Sequence, residues 1–344
     1  MKWMNWLNSN RTNHRRDFLR RSALLFPLFL SPQLFAHSMF GRRLDSLSGV
    51  HHIRRTTFAM GTLVSIEACG KDKALLHNAV TQAFDELHRC DRLLSVYDPQ
   101  SDISRINANA GKHNITVDDT TIEIIDTAKE FSARTNGSFD CTIEPLMRLW
   151  GFRNDIRSVP SDNEIALALD AVGYQNILVD GTTRSIGLLN NRSAIDLGGI
   201  AVGFTVDRMA AILKNAGIDS ALINHSGDIY AIGTPPESDG WSIAVPSPTY
   251  GSLTKPEKFL TTLALHDQAI STSGNYEKFV TVDEQKFGHI LDRGTGKPST
   301  NNLSVSVIAQ SSLEADVYST AFFTQARADI QKNAERLNVN VVVL

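Results

Sequence analysis

The chain has 344 residues, 42% of them hydrophobic and 21% charged. That is enough for a large core or two domains, and the composition excludes a disordered or fibrous protein. The formal charge is −3, but residues 1–36 carry six basic side chains and one acidic one, about +5, which leaves about −8 for the remainder and argues against a nucleic-acid binder.

The N-terminal stretch HRRDFLRRSALLFPLFLSPQLFA pairs Arg15 with Arg16, then Phe18 and Leu19, then an apolar run broken by Pro27 and Pro32. The run is short for a bilayer span. It resembles a twin-arginine export signal cleaved after Ala36, with a membrane anchor as the alternative. The expected destination is the periplasm or the outer membrane face.

TTFAMGTLVSIEACG reads as one strand, with Val64, Ile66 and Ala68 on alternating positions. Residues 73–94 hold the clearest amphipathic spacing, through Leu76, Val80, Ala83, Phe84, Leu87 and Leu94. LLSVYDPQSDISRIN turns at Asp98-Pro99 into short helical material. A second helix spans about 119–134 and stops at Asn136-Gly137. Ser161 and Glu164 form a capping box for a helix to about Ala171. NILVDGTTRSIGLL reads as a hairpin about Asp180-Gly181. A strand ending in AIDL enters Gly198-Gly199 and a helix over about 201–216. SALINHSGDIYAIG reads as strand, turn, strand; WSIAVPSP, FLTTLALHD, KFGHILD and LSVSVIA are strand-like. Hairpins alternating with helices predict an α+β fold with mixed or antiparallel sheets, and no linker divides the chain. Cys69, Cys90 and Cys141 are an odd count without a CxxC, so buried thiols are favoured over one disulfide.

Four places carry candidate chemistry. Asp316 and Thr320 lie one helical turn apart in the otherwise apolar SSLEADVYSTAFF. They are hard oxygen ligands suited to Mg²⁺ or Ca²⁺; alternatively Asp316 merely favours a helix N-terminus capped by Ser311 and Glu314. Gly198, Gly199 and Gly203 do not fit GxGxxG, and serve either an anion at a helix N-terminus or a tight turn. His289 near a strand end suits phosphate contact or proton relay, or is an ordinary polar group. Ser271, Thr272, Ser273 and Gly274 lack the partners of a hydrolase triad and suit a pocket wall.

Together MGTLVSIE, LLSVYDPQSDISRIN, GSFDCTIEPLMRLWGF, IDLGGIAVGFTVD, INHSGDIYAIG, AISTSGNY, GHILDRGTGKPS and SLEADVYSTAFF stand in the order seen in FAD:protein FMN transferases, the ApbE family, which this chain resembles from about Arg55 to beyond Phe323. The resemblance implies a T-fold-related architecture with the flavin in a cleft, spanning residues 50–344 in two lobes. It implies FAD as substrate, Mg²⁺, and transfer of FMN onto a Thr or Ser hydroxyl of a partner protein with release of AMP. The partner would be a membrane-associated or periplasmic flavoprotein subunit. Asp316, Thr320 and the Gly199 carbonyl would hold the metal. Met60, Tyr97, Ser138, Phe139, Asp140, Asp196 and His289 would meet the cofactor, His289 also serving catalysis. Three departures stand out: Val202 where the family usually has Lys, Asp292-Arg293-Gly294-Thr295-Gly296 for D-P-x-T-G, and Ser226-Gly227-Asp228 for G-G-D. They keep open a flavin carrier without turnover; hydrolysis of FAD to FMN and AMP is a further alternative.

Overall fold

The computed structural model describes residues 49–153, 158–247, 259–275 and 278–344. The export segment lies outside the described residues. In chain order the elements are β1 (His51–Ala59), β2 (Thr62–Gly70), α1 (Lys73–Leu94), α2 (Asp102–Ala108), β3 (Ile115–Thr116), α3 (Asp119–Arg134), α4 (Glu144–Leu149) and α5 (Asp162–Leu169). A 3-10 turn leads into β4 (Ile177–Asp180) and β5 (Ser185–Leu188), followed by α6 (Ala201–Asn215), β6 (Ala221–His225), β7 (Asp228–Ile232), β8 (Trp241–Pro246) and β9 (Phe259–Leu265). Then come β10 (Ala269–Gly274), β11 (Phe279–Val282), β12 (Gln285–Gly288), β13 (Leu291–Asp292), β14 (Lys297–Pro298), β15 (Ser304–Ala309), α7 (Ser312–Phe323), α8 (Arg327–Leu337) and β16 (Asn340–Val343).

The main sheet has seven strands in the order β1-β2-β6-β7-β10-β15-β16, every pair antiparallel. Period-two alternation divides its side chains between two cores. Val64, Ile66, Ala68, Ala221 and Ile223 face α1 and α6, meeting Leu76, Val80, Leu87, Val206, Met209 and Leu213. Cys69, Leu222, Ile229 and Ile270 face the other way, against Trp241, Ile243, Val245 and Leu265 of the β8–β9 hairpin. A third core joins α2, α3 and the small sheet β3-β5-β4 to Val317, Tyr318, Phe322 and Phe323 of α7. Helix α7 is therefore buried on nearly every side, which explains why its apolar residues form no single stripe.

The longer helices form where their spacing predicts. Asp72 caps α1 by accepting from Ala74 N and Leu75 N, and Ser161 and Glu164 form the capping box of α5. Three strand expectations change. The segment 56–70 is not one strand: it turns at Met60-Gly61, both at positive φ (48° and 78°), and the hairpin pairs Ala59 with Thr62. Such a two-residue turn matches strand twist, whatever the hydrophobic alternation on either side. Residues 194–197 are extended but unpaired as a strand. Asn107 holds Ile195 through both backbone groups (Nδ2 to O 2.9 Å, N to Oδ1 2.7 Å), and Asp196 N donates to Cys141 O (2.8 Å). A side chain and a loop thus take the hydrogen bonds a neighbouring strand would supply. KFGHILD breaks at His289, between β12 and β13. The three cysteines are buried free thiols, as favoured above.

Candidate active site

The site forms around the turn Asp196-Leu197-Gly198-Gly199 that leads into α6. Gly203, on the first turn of α6, lets α7 cross at backbone distance: a Cβ there would lie 2.4 Å from Ser312 O and 2.8 Å from Asp316 Cβ. Only a glycine fits such an approach. The crossing brings Gly203 N to Asp316 Oδ2 (2.9 Å). One turn along α7, Thr320 abuts the glycine turn, since a Cβ on Gly199 would sit 3.0 Å from Thr320 Oγ1. Thus Gly199, more than a hundred residues from the Asp316–Thr320 pair in sequence, packs beside it. Asp207 of α6 holds the start of α7, accepting from Ser312 N (2.7 Å) and Leu313 N (2.9 Å). Ser273 on β10 lies 3.5 Å from Thr320 and 2.9 Å from Ser319, so the serine run lines this junction rather than forming a triad.

Asp316 is only 6% exposed. Burial, then the charge of Asp207, pushes its carboxyl up to about 7, against the opposing Gly203 hydrogen bond. A buried carboxylate one helical turn from a hydroxyl, with Gly199 packed against that hydroxyl, offers hard oxygen donors that would suit Mg²⁺, and a bound ion would relieve the cost of the buried charge. Among the described residues, no group of three His, Cys, Asp or Glu side chains converges to hold a metal.

A second cluster begins at the same turn. Asp196 is buried, with Oδ1 accepting from Gly198 N (2.6 Å) and Oδ2 paired with Arg153. Arg153 also bonds Glu144 through Nε (3.0 Å to Oε2) and Tyr97 through Nη1 (3.0 Å to the phenol oxygen), and stacks over the Tyr97 ring at 5.1 Å. Tyr97 is otherwise 70% exposed. Burial raises the Glu144 carboxyl despite the opposing charge of Arg153. Arg153 is itself held above the usual arginine range by Asp196 and Glu144, although burial opposes this.

His289 is half-buried, its Nδ1 lying 3.2 Å from Lys278 O. Burial, then the charge of Lys278, pulls its imidazole down to about 4. The charges of Asp196 and Arg153 act on the ring as minor, opposing influences. Met60 is the hairpin-turn residue, partly buried against two of the cores.

The segment 138–140 is held internally. The Phe139 ring is core, and Ser138 Oγ accepts from Gln325 Nε2 (3.2 Å). Asp140 accepts from Thr142 Oγ1 (2.6 Å) and Tyr174 N (3.1 Å), and pairs with Arg293 (3.3 Å). Asp292-Arg293-Gly294-Thr295-Gly296 keeps a tight turn: Gly294 N donates to Asp292 Oδ1 (2.7 Å), and Gly296 has φ +68°. A cavity of about 380 Å³ lined by Trp150, Phe279, Lys286, Phe287, Gly288 and Lys297, among others, adjoins His289 through Gly288 but touches neither Asp196 nor α7.

The sequence profile of the ApbE family matches residues 60–343. The chain belongs to the ApbE family. Among its ApbE relatives, a FAD:protein FMN transferase of Klebsiella pneumoniae is 31% identical over 265 residues, covering 77% of this chain and 79% of that protein. One from Treponema pallidum is 27% identical over 289 residues, covering 80% and 79%. The crystal structure of the ApbE protein of Thermotoga maritima superposes with a TM-score of 0.77 at 30% identity, covering 85% of this chain and 94% of that one. The apo flavinyl transferase ApbE of Pseudomonas stutzeri gives 0.73 at 29%, covering 86% and 91%. The α+β fold and flavin transfer are thus properties of this ApbE chain, and it is an enzyme. Asn107, Arg153 and Asp207 were missed as site-building residues. Each lies inside or beside a motif, but each has a partner in the site at least 43 residues away (Ile195, Asp196 and Ser312 respectively), so no local spacing signals it.

Proposed function

We propose that this flavin transferase requires Mg²⁺, releases AMP, and works on a protein acceptor outside the cytoplasm. The packing of Gly199 beside the Asp316–Thr320 pair at the α6–α7 crossing carries the reading of metal dependence. The Asp316 carboxylate, the Thr320 hydroxyl and the Gly199 carbonyl would hold the ion, which would supply positive charge opposite the FAD diphosphate. Met60, Tyr97, Asp196 and the 138–140 segment (Ser138, Phe139, Asp140) form the wall that receives FAD.

The imidazole of His289, with its pKa lowered to about 4, is neutral at pH 7 and free to accept a proton. It takes the proton of the acceptor hydroxyl as that oxygen bonds the FMN phosphorus and AMP departs. The acceptor's Thr or Ser supplies the nucleophile; the chain's own serines on β10 are bonded within the α7 junction. The paired arginines and apolar run of residues 14–36 support export to the periplasm, where a membrane-associated or periplasmic flavoprotein subunit is the acceptor.

The test incubates purified chain with FAD, Mg²⁺ and an acceptor flavoprotein subunit, reading covalent flavin fluorescence and AMP. Chelation of Mg²⁺ should stop both, and Asp316→Ala should lower transfer at least about 100-fold. Normal transfer by that variant would overturn the metal assignment. Val202, which places no cation on the first turn of α6, favours one rival, a flavin carrier without turnover. That rival predicts FAD binding without AMP, and FAD hydrolysis predicts free FMN without any acceptor.

A further inference from the structure

We infer that Arg153 is a positioning residue for FAD binding, holding Tyr97 and Asp196 as one wall of the cofactor site; this rests on the flavin-transfer reading above. Its guanidinium joins three separate parts of the chain: Tyr97 after α1, Glu144 at the start of α4, and Asp196 in the glycine turn. Each edge of the fork is engaged. Nε and Nη2 face Glu144, Nη2 also reaches Asp196, and Nη1 meets the Tyr97 hydroxyl while the plane covers its ring. A lysine has neither the fork nor the flat face, so it does not replace these contacts.

The charge balance makes the same residue matter for affinity. Glu144 and Asp196 are two buried carboxylates beside the turn that receives a diphosphate, and Arg153 is the cation bonded to both. Without it Asp196 loses its cation beside an anionic ligand, while Glu144 keeps only its more exposed partner Arg148 (Nε to Oε1 2.9 Å). Tyr97, largely exposed, would also lose the partner that fixes its ring. Val202 adds no positive charge at the next element.

Two roles are separable by experiment. If Arg153 only neutralises Glu144 and Asp196, R153K, which keeps the charge, retains FAD affinity; if it positions the wall, R153K binds FAD as weakly as R153M. Full-length wild type, R153K, R153M and R153M/E144Q are compared by flavin-fluorescence titration with FAD, by thermal midpoint, and by KM for FAD against kcat. Positioning predicts that all three variants bind FAD at least about tenfold more weakly, with KM changing more than kcat. It also predicts that R153M/E144Q, in which Asp196 stays unpaired, regains only part of the thermal midpoint lost in R153M and none of the affinity. Binding by R153M/E144Q or R153K less than tenfold weaker than wild type would overturn it. R153K retains the charge, so it reports even if R153M fails to fold. Failure of the wild type to bind FAD would instead remove the flavin-transfer reading itself.

Discussion

His225 ends β6 fully buried, and neither ring nitrogen has a hydrogen-bond partner among the described residues. Burial, then the charge of Lys278, lowers its pKa from about 6.5 to about 4. In the unfolded chain the ring protonates near 6.5, while in the fold it stays neutral until about 4. Stability from this residue is therefore complete above pH 6.5 and falls by up to about 3 kcal/mol as pH drops to 4. Chemical denaturation of wild type and His225→Leu across that window should show a smaller acid loss in the variant; parallel curves would refute the assignment. The neighbouring Ser226 has φ +57° in the β6–β7 turn, which accounts for glycine being usual there in similar sequences. Ser226→Gly relieves that backbone, at the loss of a 3.3 Å contact from Thr62 Oγ1, and is expected to raise stability by about 0.5–1 kcal/mol in urea melts. The residue types at the metal junction were legible because Asp316 and Thr320 share a helix face, whatever the rest of the chain does. The grip of Arg153 was not, because a guanidinium's partners are chosen by folding and leave no spacing in the chain.

At the level of elements, the site depends on how closely α6 and α7 cross. Gly203→Val would place methyl groups against the Ser312 carbonyl and the Asp316 side chain, prying the helices apart. It should cost about 1–3 kcal/mol in thermal melts and raise the Mg²⁺ concentration needed for half-maximal transfer. An unchanged Mg²⁺ requirement in a destabilised variant would separate packing from metal positioning. The longer helices were readable almost to the residue: α3 was expected over about 119–134 with a stop at Asn136-Gly137 and spans Asp119–Arg134, whereas α4 and α8 were not read. Strands were read less well. The Met60-Gly61 turn interrupts an unbroken hydrophobic alternation, and residues 194–197 carry strand-like side chains with no strand beside them. Helical hydrogen bonds close within four residues, whereas strand bonds need a partner that the local sequence does not name.

For the whole molecule, the twin-arginine reading of residues 14–36 makes export and flavin transfer properties that are expected to separate. A reporter fused after residue 36 should reach the periplasm, and Arg15→Lys with Arg16→Lys should stop it while leaving transfer by the purified enzyme unchanged; continued export of the double variant would contradict the twin-arginine reading. The sequence by itself determined the longer helices, the capping box at Ser161 and Glu164 and, through eight ordered motifs, the family. Tertiary structure alone decided the strand order, the placement of α7 between two of the cores, and the union of Tyr97, Glu144, Arg153 and Asp196. The division follows range: periodicity and capping act within a turn or two of chain, whereas pairing and charge neutralisation join groups tens of residues apart, selected by shared burial rather than by spacing.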